Sequence, residues 1–300
     1  MMASGSDDST CRIWDLRTRR VSQCIAQAFA GDPVQSVTFA TASQVYVASR
    51  NQVYLFDLRN ASSLIVTEAT TIFDPVADEI NHLHLHPMST KKPWLAVPDD
   101  EGDISILNLK SQSMHTLRGQ HTNICSSAVF RPRSAGYDLV SGGLDCQVIF
   151  WEVKSDGSGG RMRYKMNMQT LESGLGDDTQ MWNPPFVYGL AFSPNGKTFA
   201  AALGDGSVAL IDFGSRSLVR KLRGHNALVN AVHIFTHRST DYLISTGNDS
   251  KICLWQYESP QADPSFVVHH TAGKSNAIAV AGDNIFVADT TPRISVYQLH

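Results

Sequence analysis

His225, Ser245 and Asp249 are the residue types of a hydrolytic triad: an imidazole to take a proton, a hydroxyl to attack and a carboxylate to orient the ring. His82, His84 and His86 alternate in NHLHLHP. On a strand their side chains share one face, and a His-x-His pair is an arrangement that holds zinc. Trp14-Asp15-Leu16-Arg17 and the looser Trp151-Glu152-Val153-Lys154 each place an acid after a tryptophan and a basic residue two positions further on. Such a basic group reaches solvent and can pair with a carboxylate on another protein. Phe56-Asp57-Leu58-Arg59 is a third version without the tryptophan. Gly204-Asp205-Gly206 has the glycines of a phosphate loop, but no Gly-Lys-Ser/Thr or helix follows, so it reads as a hairpin turn.

The triad reading weakens once its parts are seen to recur. Ser precedes Asp by four positions and Asp precedes Trp by six in Ser4, Asp8, Trp14, in Ser141, Asp145, Trp151 and in Ser245, Asp249, Trp255. A fourth copy, Asp205 to Ile211, keeps the second spacing. One active site does not explain a repeated trio, so no catalytic residue, cofactor or metal is expected and the chain reads as a non-enzyme. The histidines of 82–86 are expected to pack between sheets or at a channel, with Leu83 and Leu85 on the opposite face. Arg12, Arg17, Arg19 and Arg20 form a basic cluster without interleaved aromatics for base stacking, which favours a protein-contact or solvated surface over nucleic acid. Cys11, Cys24, Cys125, Cys146 and Cys253 are scattered and odd in number, so they read as small core residues rather than a disulfide framework.

The elements that position these residues are strands. Runs such as VQSVTF (34–39), QVYVAS (44–49), QVYLFDL (52–58), KTFAAAL (197–203) and SVALIDF (207–213) are separated by turn residues, and helical periodicity is nearly absent. The chain is therefore all-β. Across 300 residues, 42% are hydrophobic and the net charge is -3, which gives no general attraction to nucleic acid or anionic membrane. No apolar run approaches the roughly 20 residues of a spanning helix. MMASGSDDST lacks the features of a secretory signal, so cytoplasm and/or nucleus is the expected location. The strand-end position of Trp14 recurs at Phe56, Leu107, Trp151, Ile211, Trp255 and Tyr297, at intervals of 42, 51, 44, 60, 44 and 42. The longest interval contains residues 154–185, rich in Gly, Ser and charge, and expected to be a flexible insertion.

This period, with Gly224-His225 and the interrupted Gly119-Gln120-His121 each placing a histidine 30 residues before a tryptophan, resembles the WD-repeat family. The resemblance covers essentially the whole chain and implies one seven-bladed β-propeller over 1–300. It also implies a structural hydrogen-bonded relay from Ser4, Asp8, His121, Ser141, Asp145, His225, Ser245, Asp249 and Trp255, in which buried polar groups satisfy one another. The first repeat is expected to lack its innermost strand and the last its outermost. The histidine belonging to Trp14 would lie about 16 residues before Met1 on the 30-residue offset, so the chain is expected to be an N-terminally shortened propeller with association-prone edges at that seam.

Within the family, a repeat ending Trp-Asp-x-Arg resembles the motif by which some members dock on the damaged-DNA-binding adaptor of cullin-4 ubiquitin ligases. The residues this assigns to partner binding are Trp14, Asp15, Arg17, Trp151, Glu152 and Lys154. The implied function is a protein-interaction scaffold serving as a substrate receptor; the alternative is a channel-mouth reader of short peptides such as histone tails. HTNICSSAVFRP (121–132), GGLDCQVIFW (142–151) and IFVADTTPRISVY (285–297) resemble one particular member beyond blade patterning, in loop residues such as Asn123, Arg131 and Pro132.

Overall fold

The computed structural model describes all residues except 60–63, 88–92, 135–137, 155–158, 173–182, 257–258, 260–262, 271 and 300. The described residues form seven small sheets. They are the blade set of a seven-bladed β-propeller, and the chain is all-β. Two compact units divide them: residues 1–130 with 152–161, and residues 131–151 with 162–300.

The first unit holds three sheets. The first takes Met2–Ser6, Thr10–Asp15, Arg20–Ile25 and Ile65–Val66; the second takes Ser36–Thr41, Gln44–Ser49, Gln52–Asp57 and Thr71–Phe73. The third runs His84–Leu85, Trp94–Pro98, Ile104–Asn108 and Met114–Leu117. Strand Gln44–Ser49 shows why these runs read as continuously apolar. Its side chains alternate between faces, and both faces are covered. Val45 and Val47 join a core with Cys11, Ile13 and Phe56, while Tyr46 and Ala48 join another with Leu83, Leu95 and Leu107. Full burial of one such aliphatic side chain contributes roughly 1.5–3 kcal/mol.

In the second unit, the fifth sheet is Val187–Phe192, Thr198–Leu203, Ser207–Asp212 and Ser217–Arg223, and the sixth is Val229–His237, Thr240–Gly247, Lys251–Trp255 and Phe266–His269. The seventh has three strands, Ser275–Ala281, Asn284–Asp289 and Ile294–Gln298. Alternation again splits neighbours between cores: Leu243, Cys253 and Trp255 pack with Ala200 and Leu210, whereas Ile244 and Ile252 pack with Ile285 and Val287.

Two details refine the expectations. The first sheet starts at the strand carrying Ser4, with no strand on that edge among the described residues, yet it still has four members. Its fourth, Ile65–Val66, pairs in parallel with Arg20–Ile25; the Cys24 N–H donates to Leu64 O at 2.8 Å and the Ala26 N–H to Val66 O at 3.0 Å. Two residues are too short to register as a strand in sequence. The 154–185 stretch is also not an insertion throughout, because Gly160–Asn167 is the last strand of the fourth sheet, after Cys125–Phe130, Asp138–Gly143 and Gln147–Val153. Residues 155–158 and 173–182 of that expected insertion lie outside the described residues.

Candidate functional site

The sixth sheet brings His225, Ser245 and Asp249 together. His225 Nδ1 lies 2.9 Å from Asp249 Oδ1 and Nε2 lies 2.7 Å from Ser245 Oγ, which is the connectivity of a hydrolytic triad. Burial decides against that chemistry. Ser245 has no solvent exposure and neither does the His225 side chain, so a substrate cannot reach the hydroxyl. Burial lowers the His225 pKa despite the opposing hydrogen bond to Asp249. Burial acts to raise the Asp249 pKa, but donors from His225 and the backbone of Asn226 and Lys251 outweigh it and hold the carboxyl low. A neutral ring between an ionised carboxylate and a hydroxyl has a partner at each nitrogen, as buried polar groups require.

The tryptophan link differs between sheets. Trp14 Nε1 donates to Ser4 Oγ at 2.9 Å and Trp151 Nε1 donates to Ser141 Oγ at 2.8 Å. In the sixth sheet the Ser245 hydroxyl is engaged by His225, and the buried Trp255 Nε1 has no partner among the described residues, which corrects the expectation that Trp255 completes that relay. His121 is buried beside the 99–103 turn: a Cβ on Gly102 (φ 84°) would lie 3.1 Å from its Cβ. Asp145 Oδ1 accepts the Gln147 N–H at 3.1 Å.

The turn aspartates also reveal partners that the Ser-Asp-Trp spacing does not identify. Asp8 pairs with Arg12 at 2.8 Å and Asp205 with Lys221 at 2.7 Å. In the seventh sheet His270 Nε2 meets Asp289 Oδ2 at 2.6 Å and Nδ1 meets the Tyr297 hydroxyl at 2.7 Å. Tyrosine thus does at 297 what serine does at 245. The signal in sequence was Tyr297 at the strand-end position, but its histidine is 27 residues upstream instead of 30 and its aspartate eight instead of six.

His82, His84 and His86 pack against the strand Cys125–Phe130. The Phe130 N–H donates to His84 Nδ1 at 3.2 Å, and the Phe130 ring centroid lies 6.0 Å from that of His84 and 5.0 Å from that of His86. Burial pushes His82 down to about 4 and His84 to about 3. Their shared face is filled by an aromatic ring. Among the described residues no group of three or more His, Cys, Asp or Glu could hold a metal ion. All five cysteines are free; four are buried and Cys24 is half-buried.

The exposed candidates are the strand ends. After Trp14 the chain turns so that the Arg17 N–H donates to Asp15 Oδ1 at 2.9 Å, while its guanidinium lies 3.4 Å from both carboxylate oxygens. The Arg17 side chain remains 90% exposed. Asp57 and Arg59 repeat this arrangement more tightly, with backbone N–H and Nε donors at 3.0 Å to Oδ1 and Nη2 at 2.6 Å to Oδ2. The guanidinium of Arg59 accordingly holds the Asp57 carboxyl at about 2, and the Arg17 backbone and side-chain donors lower Asp15. The third copy is built differently. The strand continues through Val153, the Glu152 carboxylate accepts from Arg161 Nε at 2.8 Å, and the Lys154 N–H donates to Gly159 O at 2.7 Å. Spacing after a tryptophan therefore selected Glu152 and Lys154, whereas geometry reproduces Asp15 and Arg17 at Asp57 and Arg59, where phenylalanine replaces the tryptophan.

Comparison with known proteins agrees with this architecture. The family model described as WD domain, G-beta repeat, matches residues 1–15, 181–212 and 216–256. The chain is 33% identical over 270 residues to the WD repeat-containing protein 53 homolog of Dictyostelium discoideum, covering 85% of this chain and 72% of that protein. WD repeat-containing protein 53 is also the member that the loop residues of 121–132, 142–151 and 285–297 resemble. Actin-interacting protein 1 of Drosophila melanogaster is 25% identical over 248 residues, 81% of this chain but 37% of that protein. The probable coatomer subunit beta' of Schizosaccharomyces pombe is 35% identical over 75 residues, 25% of this chain and 9% of its own length. WD-repeat propellers are in general non-catalytic scaffolds for protein interaction. By its repeats, its sheets and its similarity along most of its length, this chain belongs to the WD-repeat family.

Proposed function

We propose that the chain is a substrate receptor of a cullin-4 RING ubiquitin ligase, acting in the cytoplasm or nucleus and docking on the damaged-DNA-binding adaptor through its strand-end boxes. The observation that carries this reading is the shared geometry of Asp15 with Arg17 and Asp57 with Arg59: a guanidinium fixed by its own aspartate yet largely exposed. The internal carboxylate restricts the arginine's rotamers, so less entropy is lost when a partner engages the remaining N–H groups. The chain performs no chemistry in this scheme. One surface holds the adaptor, another holds a substrate, and other subunits transfer ubiquitin.

The docking set in this reading is Trp14, Asp15 and Arg17 with Phe56, Asp57 and Arg59 in place of Trp151, Glu152 and Lys154, because Glu152 is engaged by Arg161. Co-recovery of the adaptor with tagged chain from cell extract tests this reading. The wild type is expected to recover it and the Arg17→Ala, Arg59→Ala double variant to lose it. Undiminished recovery by a folded double variant would show that the boxes are only turns.

A further inference from the structure

The turn at 99–103 in the third sheet carries more acid than a strand connection needs. Asp103 fills the role played elsewhere by the turn aspartates: its Oδ1 accepts the Gly119 N–H at 2.9 Å and its Oδ2 lies 3.7 Å from Arg118 Nε. Asp8, Asp205, Asp249 and Asp289 likewise have an arginine, lysine or histidine partner. Asp99 has none. It is 3% exposed, and the donor its carboxylate engages among the described residues is the Asp103 N–H, at 2.9 Å to Oδ1. A buried carboxylate needs more than one donor to offset its lost hydration. Burial, reinforced by the charges of Asp103, Glu101 and Asp78 and opposed by that single N–H, raises Asp99 to about 6.

Asp99 lines a cleft of about 280 Å³ between this turn and the segment 74–77. Four acidic residues, Asp74, Asp99, Glu101 and Asp103, line it together with one basic residue, Arg118. Val76 and Met114 add an apolar wall, and Met114 is left 47% exposed. The floor is rigid: the fully buried Ser105 hydroxyl donates to Pro75 O at 2.7 Å and lies 3.0 Å from Thr116 Oγ1. The volume is below the roughly 300–1,000 Å³ of small-molecule sites, and the described residues contain no metal-binding group of three. An aliphatic stem ending in a cation matches an apolar wall leading to a carboxylate that takes one donor among the described residues.

We propose that this cleft receives a lysine or arginine side chain from a partner protein, making it a basic-residue specificity site on the chain's interaction surface. The proposal rests on the chain being a protein-binding scaffold and is independent of adaptor docking, since none of the cleft residues belongs to the strand-end boxes.

The test titrates the full chain at low ionic strength with fluorescein-labelled pentapeptides Gly-Ala-X-Ala-Gly, where X is arginine, lysine or norleucine, and reads anisotropy. The arginine and lysine peptides are expected to bind and the norleucine peptide not to. Asp99→Asn is expected to weaken binding about tenfold or more, because it removes the charge that the cation neutralises. Glu101→Gln, on the exposed turn, serves as a second variant and is expected to weaken it severalfold. Glu68→Gln, the same charge change outside the cleft, is expected to leave affinity unaltered. Binding that is equal for norleucine, absent for both basic peptides, or reduced equally by Glu68→Gln overturns the proposal. Adaptor recovery by Asp99→Asn separates this site from the docking boxes, since it should remain at the wild-type level.

Discussion

The guanidinium of Arg59 closes on the carboxylate of Asp57, two residues before it, with Nη2 2.6 Å from Oδ2 and Nε 3.0 Å from Oδ1, while 69% of the arginine side chain stays exposed. Arg17 and Asp15 do the same one repeat earlier. A solvated ion pair of this kind contributes little to stability. Arg59→Ala and Arg17→Ala are therefore expected to leave the urea midpoint almost unchanged. A large fall in that midpoint would mean that the boxes hold the fold.

The buried relay behaves oppositely. Ser245→Ala removes the partner of His225 Nε2 in a site closed to water, and leaving such a group unsatisfied costs about 1–3 kcal/mol. Chemical denaturation of that variant should show the loss. The same substitution at exposed Ser215 should cost far less, because water replaces its lost bonds.

The glycine following Ser4 and the one following Ser141 are packing requirements. A Cβ on Gly142 would lie 2.3 Å from Val187 Cγ1, and one on Gly5 would lie 2.5 Å from Val34 Cγ1 and 2.7 Å from Val34 O. Gly142→Ala is expected to cost about 1–3 kcal/mol by overpacking, lowering Tm by several degrees in a thermal melt. An unchanged Tm would mean that the Val187 strand yields freely.

Acid should destabilise the fold through the histidines. His82 and His84 have folded-state values of about 4 and about 3, below the roughly 6.5 of an unfolded histidine. Above that unfolded value both states are neutral and nothing is lost. As pH falls below it the unfolded chain takes up protons first, so stability declines until the folded values are reached. Asp99 works in the other direction, because its value is raised: its ionisation penalty is present at neutral pH and is relieved as pH falls through about 6. Asp99→Asn should therefore stabilise the free chain at pH 7.5, by about 1–3 kcal/mol, while weakening binding of basic peptides. A destabilised Asp99→Asn would contradict the description of that carboxylate as uncompensated.

What could be read from the residues, and what could not, follows from how each feature is encoded. The strand ends at Trp14, Trp151 and Trp255 are fixed by local spacing, and the weaker positions at Phe56, Leu107, Ile211 and Tyr297 also fall on strands. The His225, Ser245 and Asp249 contacts follow from the same spacing because the turn and the sheet register bring them together. Three features lack such a local signature. Strand Ile65–Val66 is stabilised by a partner 41 residues away in the Cys24 and Ile65 pairing. The His270, Asp289 and Tyr297 relay changes both offsets, in opposite directions: the aspartate lies further before the strand-end residue and the histidine nearer to it. The acidic cleft joins segments 74–77, 99–105 and 114–118, which become neighbours only through the pairing and packing of strands.

In the proposed role, arginines held by their own strand-end aspartates dock the chain on the adaptor. The most direct measurement is the dissociation constant between the purified chain and the purified damaged-DNA-binding adaptor. Wild type should bind, the Arg17→Ala, Arg59→Ala double variant should bind at least about tenfold more weakly, and Lys154→Ala should match wild type. Equal affinity for wild type and the double variant, or no binding by wild type, would contradict it.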